Sequence, residues 1–475
     1  MTSSPLEMLI SVDRGQARTL GGQIEDQIRA AIRDGRLAPG AVLPSTRVLA
    51  RQIEVSRPIV VDAYAQLAAE GYLRLRQGAR PAVATSARPE APSRPLAATE
   101  ASRPRFDFRP AIPDLAAFPR AAWLRALRQA LTTLPDQDLG YGGEQGVAPL
   151  REAVCAYLGR VRGVVAEPGQ VVITSGFYEG RTLVCRALSG LGRRRLGLED
   201  PGYNERDWIA PTGLSPIPIP VDAEGLRIDA LTASGADAAI VTPSHQFPTG
   251  VVMSGRRRGE LLAWLRDTDA VVLEDDYDAE HRYDRAPVGA LQGLDPGRVI
   301  YAGTVSKTLA PALRIGWLVA PPRWLDAIRA QQSLAGAGCP RIEQHALATF
   351  LTSGAFDRHL RRMRLVYRDR RDALVEALAG HIPEARVGGI SAGLHATVEL
   401  PDGFDERAII AAAARRGVAL EAMGGHRFAV EGPPTLLLGY GQASEATIRV
   451  GVRALAAAME ETRPAALAPA AMSRA

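Results

Sequence analysis

Lysine is almost missing from this sequence: of 57 lysine and arginine positions in 475 residues, only position 307 is lysine. If a positive charge were all that position required, arginine would serve there as it does elsewhere. An ε-amine differs from a guanidinium in that it can lose its proton near neutral pH and attack a carbonyl to form a Schiff base. Cysteine is also scarce. Cys155, Cys185 and Cys339 are scattered, with no CxxC spacing and no paired histidines, which argues against a disulfide frame or a zinc site and for reduced thiols. No apolar run approaches the roughly 18 residues of a membrane span. The opening "MTSSPLEMLISVDRGQ" has no basic region followed by an apolar stretch, so a secretory leader is not expected and a cytoplasmic location is. A net charge of +5 is too mild to indicate nucleic-acid binding by its size alone.

What the chain does contain is ordinary globular composition, 46% hydrophobic and 23% charged, over a length that allows two or three domains at ~150 residues each. A Pro/Ala/Ser/Arg-rich stretch without hydrophobic periodicity covers residues 85–105, the composition of a linker. It separates a small domain, 1–84, from a large one, 106–460, followed by a tail over 461–475 that is expected to be disordered.

In the small domain Ile24, Ile28, Ala31 and Ile32 recur at helical spacing until Gly35 and Pro39-Gly40 stop the helix. Ser45 is the expected N-cap of a second helix and Ser56 of a third, with Pro58 in the first turn of the latter. The short "QIEVS" between them predicts a helix-turn-helix, and "GYLRLRQGARPAVA" predicts two short strands around Gln77-Gly78, a wing. Residues 1–84 hold 11 arginines against 8 acids, with Arg47 and Arg57 at helix starts and Arg74, Arg76 and Arg80 beside the wing. The run "GRLAPGAVLPSTRVLARQIEVSRPIVVDAYAQLAAEGYL" resembles the winged helix-turn-helix of GntR-type bacterial regulators. The resemblance implies that Arg47, Ser56, Arg57 and Gly78 approach double-stranded DNA. Pro58 and Ile59 replace the small polar pair common after "SR" in that family, which removes side chains that could read bases.

The large domain can be read outward from Lys307. A lysine-bound aldehyde cofactor such as pyridoxal 5′-phosphate needs an anion at its ring nitrogen, a stacking partner, a donor to its phenolate oxygen and a phosphate cradle. "AVVLEDDYDAEHRY" offers a buried strand over 270–273 ending in Glu274, Asp275 and Asp276, where α/β folds bind ligands. Asp275 suits the ring nitrogen and Tyr277 the phenolate oxygen; the same acidic cluster could hold a metal, although no histidines stand at suitable spacing. Ser175, Gly176 and Phe177 open a helix after a strand, so their amides can face an anion, and Thr304 and Arg314 flank the lysine. Tyr203 is the candidate stacking ring, and His245 and Gln246 are candidates for the cofactor's oxygen edge.

The ordered series "YGGEQGVAPLREAVCAYL", "TSGFYEG", "EDPGY", "TPSHQFPTG", "EDDYDAEHRY" and "SKTLAPALRIGW" resembles a fold-type I aminotransferase, and its fusion to a GntR-like module resembles the MocR subfamily of regulators. The fold class implied is α/β, with a mixed, mainly parallel sheet flanked by helices and a small C-terminal α+β subdomain. The resemblance also implies a Schiff base on Lys307, Ser306 beside the phosphate, a homodimer, and Tyr141 reaching the partner's phosphate. Two departures stand out. Phe177, Tyr178 and Glu179 replace amide residues after "SG", and "PPTLLLGYG" lacks the arginine that clamps a transaminase substrate's carboxylate, leaving Arg427 as the nearest candidate. The expected function is a DNA-binding transcriptional regulator that senses pyridoxal phosphate, a small amine or an amino acid, without multiple turnover and with no metal or membrane involved. The alternative is a working aminotransferase with an accessory DNA-binding domain.

Overall fold

The computed structural model describes residues 10–85 and 104–464, apart from 141, 144, 204, 205, 279, 284–287 and 337. The chain divides into two units, residues 1–101 and 102–475. Most of the 85–105 stretch, residues 465–475 of the tail, and Tyr141 lie outside the described residues.

The first unit has three helices, α1 (Leu20–Arg33), α2 (Thr46–Gln52) and α3 (Arg57–Ala69), followed by the antiparallel pair β1 (Leu73–Arg74) and β2 (Ala82–Val83). The periodic apolar residues meet as expected: Ile24, Ile28, Leu49, Val60, Leu67, Leu73 and Val83 close into one core. Ser45 Oγ accepts from the Val48 amide and caps α2. Ser56 stands at the N-cap position of α3 in extended conformation, but its side chain makes no capping hydrogen bond, contrary to the expectation from sequence. Pro58 in the first turn has no N–H to offer, so the helix start has one donor fewer to satisfy. The Tyr64 hydroxyl donates to Pro44 O at 3.1 Å, tying α3 to the approach to α2.

The second unit begins with β3 (Phe106–Asp107), α4 (Arg120–Thr133) and α5 (Ala148–Arg162). Its central sheet has eight strands: β4 (Val171–Thr174), β5 (Arg195–Asp200), β6 (Ser215–Asp222), β7 (Gly225–Leu226), β8 (Ala238–Val241), β9 (Val271–Asp275), β10 (Val299–Thr304) and β11 (Gly316–Val319). Their spatial order is β4-β11-β10-β9-β8-β5-β6-β7. The pairs from β10 through β9, β8 and β5 to β6 are parallel, whereas β11 runs antiparallel to both β10 and β4. The continuous apolar runs of β8 and β9 follow from burial on both faces, which helices on either side of a parallel sheet impose. One of those helices, α6 (Phe177–Gly190), leaves the end of β4 directly.

A smaller four-stranded antiparallel sheet follows, with β12 (Arg386–Gly388), β13 (His395–Glu399), β15 (Glu421–Ala422) and β16 (Thr435–Gly439) in the order β12-β13-β16-β15. The remaining short strand, β14 (Val418–Ala419), pairs in parallel with β3 and so returns the start of this unit to its C-terminal part. The small sheet shares a core with the helices Ala355–His381, Glu406–Arg415 and Glu445–Glu461, through Leu374, Ile409, Leu438 and Val452 among others. No helix among the described residues is long and apolar enough to cross a membrane.

The N-terminal core is small enough for one cavity to matter. Ile28→Ala, at a fully buried position, is expected to destabilise this unit by roughly 2–5 kcal/mol. Hydrogen exchange should show faster opening of α1 and α3 amides, with amides of the eight-stranded sheet unchanged.

Candidate functional site

The C-terminal ends of the central strands open into a cavity of about 310 Å³ that contains the lone lysine. The strand read as 270–273 in the sequence runs on to Asp275. Alternation along a strand sends successive side chains to opposite faces, which separates the three acids. Glu274 turns from the cavity and accepts from the amides of Leu291 and Gln292 at 2.8 and 2.9 Å. Asp276 leaves the strand and binds Arg162 at 2.7 Å and the Tyr301 hydroxyl at 2.7 Å. Asp275 alone lines the cavity, where both carboxylate oxygens are buried without a hydrogen-bond partner. Burial, with the charges of Asp276 and Asp278, pushes its carboxyl well above the usual range, and Lys307 opposes that shift. A carboxyl left in this condition would regain its charge beside a buried N–H⁺ group brought in by a ligand. The diverging acids do not form a metal cluster, and no group of three metal-binding side chains occurs among the described residues.

Lys307 sits in the connection between β10 and β11, and that connection is pinned at several points. Thr304 Oγ1 accepts from the Ser306 amide, the Val305 amide donates to Ile315 O, and His281 Nε2 lies 3.1 Å from Lys307 O. The next carbonyl, Thr308 O, meets His359 Nε2 at 2.9 Å. Burial lowers the Lys307 pKa from its ordinary value, against the pull of Asp275, Asp278 and Glu421. The amine therefore has a larger uncharged fraction at neutral pH than a free lysine, as a nucleophile requires.

Gly176, Phe177, Thr304, Ser306 and Arg314 also line the cavity. Gly176 has φ +96° at the start of α6, a conformation that disfavours any side chain. A Cβ there would come within 3.9 Å of Arg314 Nη1, so the missing side chain leaves the helix N-terminus open to an anion beside a cation. Arg314 itself has φ +51°, an unusual left-handed conformation for a non-glycine residue. Ser175 does not line the cavity; its amide donates to the Glu179 carboxylate, which folds back onto the helix start. That acid is the departure already visible after "SG".

Tyr203 and Tyr277 both line the cavity. The Tyr203 ring stacks on Phe247, with centroids 4.7 Å apart and planes 15° apart. The Tyr277 hydroxyl is 3.1 Å from His245 Nδ1, and burial pushes its pKa well up, so it stays a neutral donor. His245 and Gln246 are not at the cavity wall, contrary to the sequence expectation. His245 is held behind Tyr277 by Asp278 at 2.9 Å, with its Nε2 3.4 Å from Gly389 O. Gln246 Nε2 donates to Glu199, Pro201 O and Phe247 O, while its oxygen accepts from Thr249, so its hydrogen-bonding capacity is spent on shaping the loop. Arg427 also points elsewhere: its guanidinium donates to Pro433 O at 2.6 Å and lies 3.9 Å from Glu406.

Several groups at the site went unread in the sequence. Asp200, fully buried at the end of β5, accepts from the amides of Phe428, Ala429 and Val430 at 2.7, 2.7 and 3.0 Å, clamping a small-subdomain loop to the central sheet. Acceptance of three amides by one carboxylate depends on residues 228–230 positions away, which local pattern does not reveal. Phe247, Glu421 and His426 line the same cavity.

In the first unit, Arg47, Ser56, Arg57 and Gly78 are all exposed. Arg18, Arg29 and Arg36 are tied to Asp26, Glu70 and Asp34. Arg47, Arg57, Arg74, Arg76 and Arg80 have no acidic partner among the described residues, so the free cations gather around α2, α3 and the wing.

Comparison with known proteins agrees with both halves. Residues 20–83 match the model described as "Bacterial regulatory proteins, gntR family", and residues 113–401 match "Aminotransferase class I and II". The chain is 34% identical to the "HTH-type pyridoxine biosynthesis transcriptional regulator PdxR" of Corynebacterium glutamicum, over 93% of this chain and 96% of that protein. It is 32% identical to the "Probable rhizopine catabolism regulatory protein MocR" of Rhizobium meliloti, over 95% and 96%. Among solved structures, a Pyrococcus horikoshii kynurenine aminotransferase in complex with PMP superposes with a TM-score of 0.69 at 28% identity, covering 77% of this chain and 93% of that one.

Two outcomes test this geometry. Asp200→Ala leaves three amides without their charged acceptor and is expected to destabilise the second unit by about 3 kcal/mol or more, read by chemical denaturation. His281 is held neutral by burial, its pKa lowered from 6.5 to about 4. The unfolded chain therefore takes the proton first, and the stability His281 contributes above 6.5 is lost as pH falls towards about 4. His281→Asn should flatten the fall in melting temperature across that window relative to the wild type.

Proposed function

The chain belongs to the HTH-type transcriptional regulators of the MocR/PdxR type, a GntR domain fused to an aminotransferase class I and II domain, and on that premise we propose that it is a ligand sensor built around pyridoxal phosphate on Lys307. The observation that carries the reading is the buried, partnerless Asp275 carboxylate in the same cavity as the only lysine of the chain. When bound, the cofactor supplies an electrophilic carbonyl that exchanges one amine for another. Asp275 holds the proton of the ring nitrogen, Tyr277 donates to the phenolate oxygen and Tyr203 covers the ring. Gly176, Thr304, Ser306 and Arg314 hold the phosphate, with the amides at the start of α6.

The effector is a small amine, an amino acid or pyridoxal phosphate itself. Its binding shifts DNA affinity only if the two binding states of the protein hold it unequally. Arg47, Ser56, Arg57 and the backbone at Gly78 contact operator DNA, chiefly at phosphates. The protein acts as a cytoplasmic homodimer in which Tyr141 of each copy serves the other copy's phosphate site. Sensing is favoured over turnover because, among the described residues, Arg314 is the one arginine lining the cavity, and Arg427, the nearest candidate clamp, is engaged with Pro433 and Glu406.

The purified protein loaded with pyridoxal phosphate should carry a visible absorption band that Lys307→Ala abolishes. Borohydride reduction should fix the cofactor to the peptide containing Lys307 and to no other. For the DNA-binding half, genomic fragments retained by the wild type should bind Arg47→Ala and Arg57→Ala more weakly, each change reducing the slope of log affinity against log salt by about 1. Unaltered salt dependence in both variants would remove these arginines from the interface.

A further inference from the structure

Part of the cavity lining has the opposite character from a carboxylate-binding site. Among the described lining residues the lysine and arginine side chains are Lys307 and Arg314, both committed in the reading above. Beside His426 stands Glu421, from β15, with His426 Nε2 3.2 Å from its carboxylate. His426 Nδ1, on the other side of the same ring, is buried with no hydrogen-bond partner among the described residues. The Glu421 carboxylate also contributes to the field at Lys307, so it faces the same space.

The position of this wall is fixed. The carbonyl of His426 accepts from the Gly202 amide at 3.0 Å, and the amides of residues 428–430 are held by Asp200. Glu421 is paired in register with Leu437 of β16. Glu421 is thus set on the small sheet, and the backbone of His426 is tied to Gly202 just past β5. A ligand carboxylate placed here would meet the Glu421 carboxylate, whereas an ammonium would find in it a charged acceptor.

We propose that the effector is a diamine, with one amino group exchanging at the Lys307 site and the other held as an ammonium by Glu421. This rests on the cofactor reading above. The exchange would need no co-reactant: the incoming amine would form a C=N bond to the cofactor carbon as the Lys307 nitrogen gave up its own, and two hydrogens would pass from the incoming nitrogen to the lysine nitrogen, which would leave as a free amine. The second amino group takes no part in the bond changes and sets only affinity.

Putrescine, γ-aminobutyrate and butylamine share a four-carbon span and place, respectively, an ammonium, a carboxylate and a methyl group at the far end. Titrated into the cofactor-loaded full-length protein, putrescine should shift the visible band at a concentration at least about tenfold lower than either of the others. Glu421→Gln should erase that preference. Equal or tighter binding of γ-aminobutyrate overturns the proposal, as does a preference for putrescine that survives in Glu421→Gln. The three-ligand comparison needs no variant, so a misfolded Glu421→Gln protein does not rescue the idea. A loaded wild-type protein with no visible band at all overturns the cofactor reading and the diamine with it, whereas a normal band unmoved by putrescine overturns the diamine alone.

Discussion

A carboxylate buried without any hydrogen-bond partner is the constraint around which the second unit is arranged. Removing an ion from water without compensation costs several kcal/mol even after relaxation, so a fold keeps one only where something else supplies the missing partner. Asp275 is kept at the end of a central parallel strand, with its neighbours' charges making its isolation worse rather than better. Its flanking acids show how the chain treats carboxylates it uses for structure: Glu274 takes two backbone amides, and Asp276 takes Arg162 and Tyr301. Three consecutive acids, EDD, thus divide into two satisfied and one left open, and the open one faces the lysine.

The surrounding structure spends many contacts on holding that arrangement still. The lysine loop is fastened by histidines on two successive carbonyls, Lys307 O and Thr308 O, which come from different segments. Tyr277 is backed by His245, which is in turn held by Asp278, so the donor's position depends on a buried chain of three side chains. Asp200 fixes the far wall. Such supporting layers matter because a site that binds a reactive cofactor needs its groups placed within a fraction of an ångström, and packing alone seldom gives that.

Much of this was legible in the sequence. The helical period of Ile24, Ile28, Ala31 and Ile32 led to the correct core of the first unit, and the run 270–273 led to the central strand, because burial patterns are local and periodic. Gly176, Phe177, Tyr203, Asp275, Tyr277, Thr304 and Arg314, read from their motifs, come together with Lys307 in one cavity, joined by Ser306, which the family resemblance implied. The reading failed where a side chain's partner is distant. His245 and Gln246 follow a strand just as cofactor ligands would, but Asp278 and Glu199 claim them first. Ser56 has the residue type and backbone of a cap without the bond, and Ser175 lost its place to Glu179. Asp200, inside the quoted "EDPGY", was assigned no role, since nothing near it in sequence announces three amides from the other end of the chain.

The near-absence of lysine now has a physical sense beyond codon usage. Arginine serves wherever this chain needs a cation that never changes state: paired with Asp276 in the core, at Arg314 beside Gly176, and unpaired around the helix-turn-helix. At position 307 a guanidinium would be worse than neutral. It would satisfy Asp275 by charge, occupy the space a ligand needs, and have no deprotonated form with which to attack a carbonyl. An amine whose pKa is lowered by burial leaves Asp275 only partly compensated, and so leaves both groups available to the same incoming molecule. The Glu421 carboxylate in the same cavity then poses the question of what the far end of a ligand must carry.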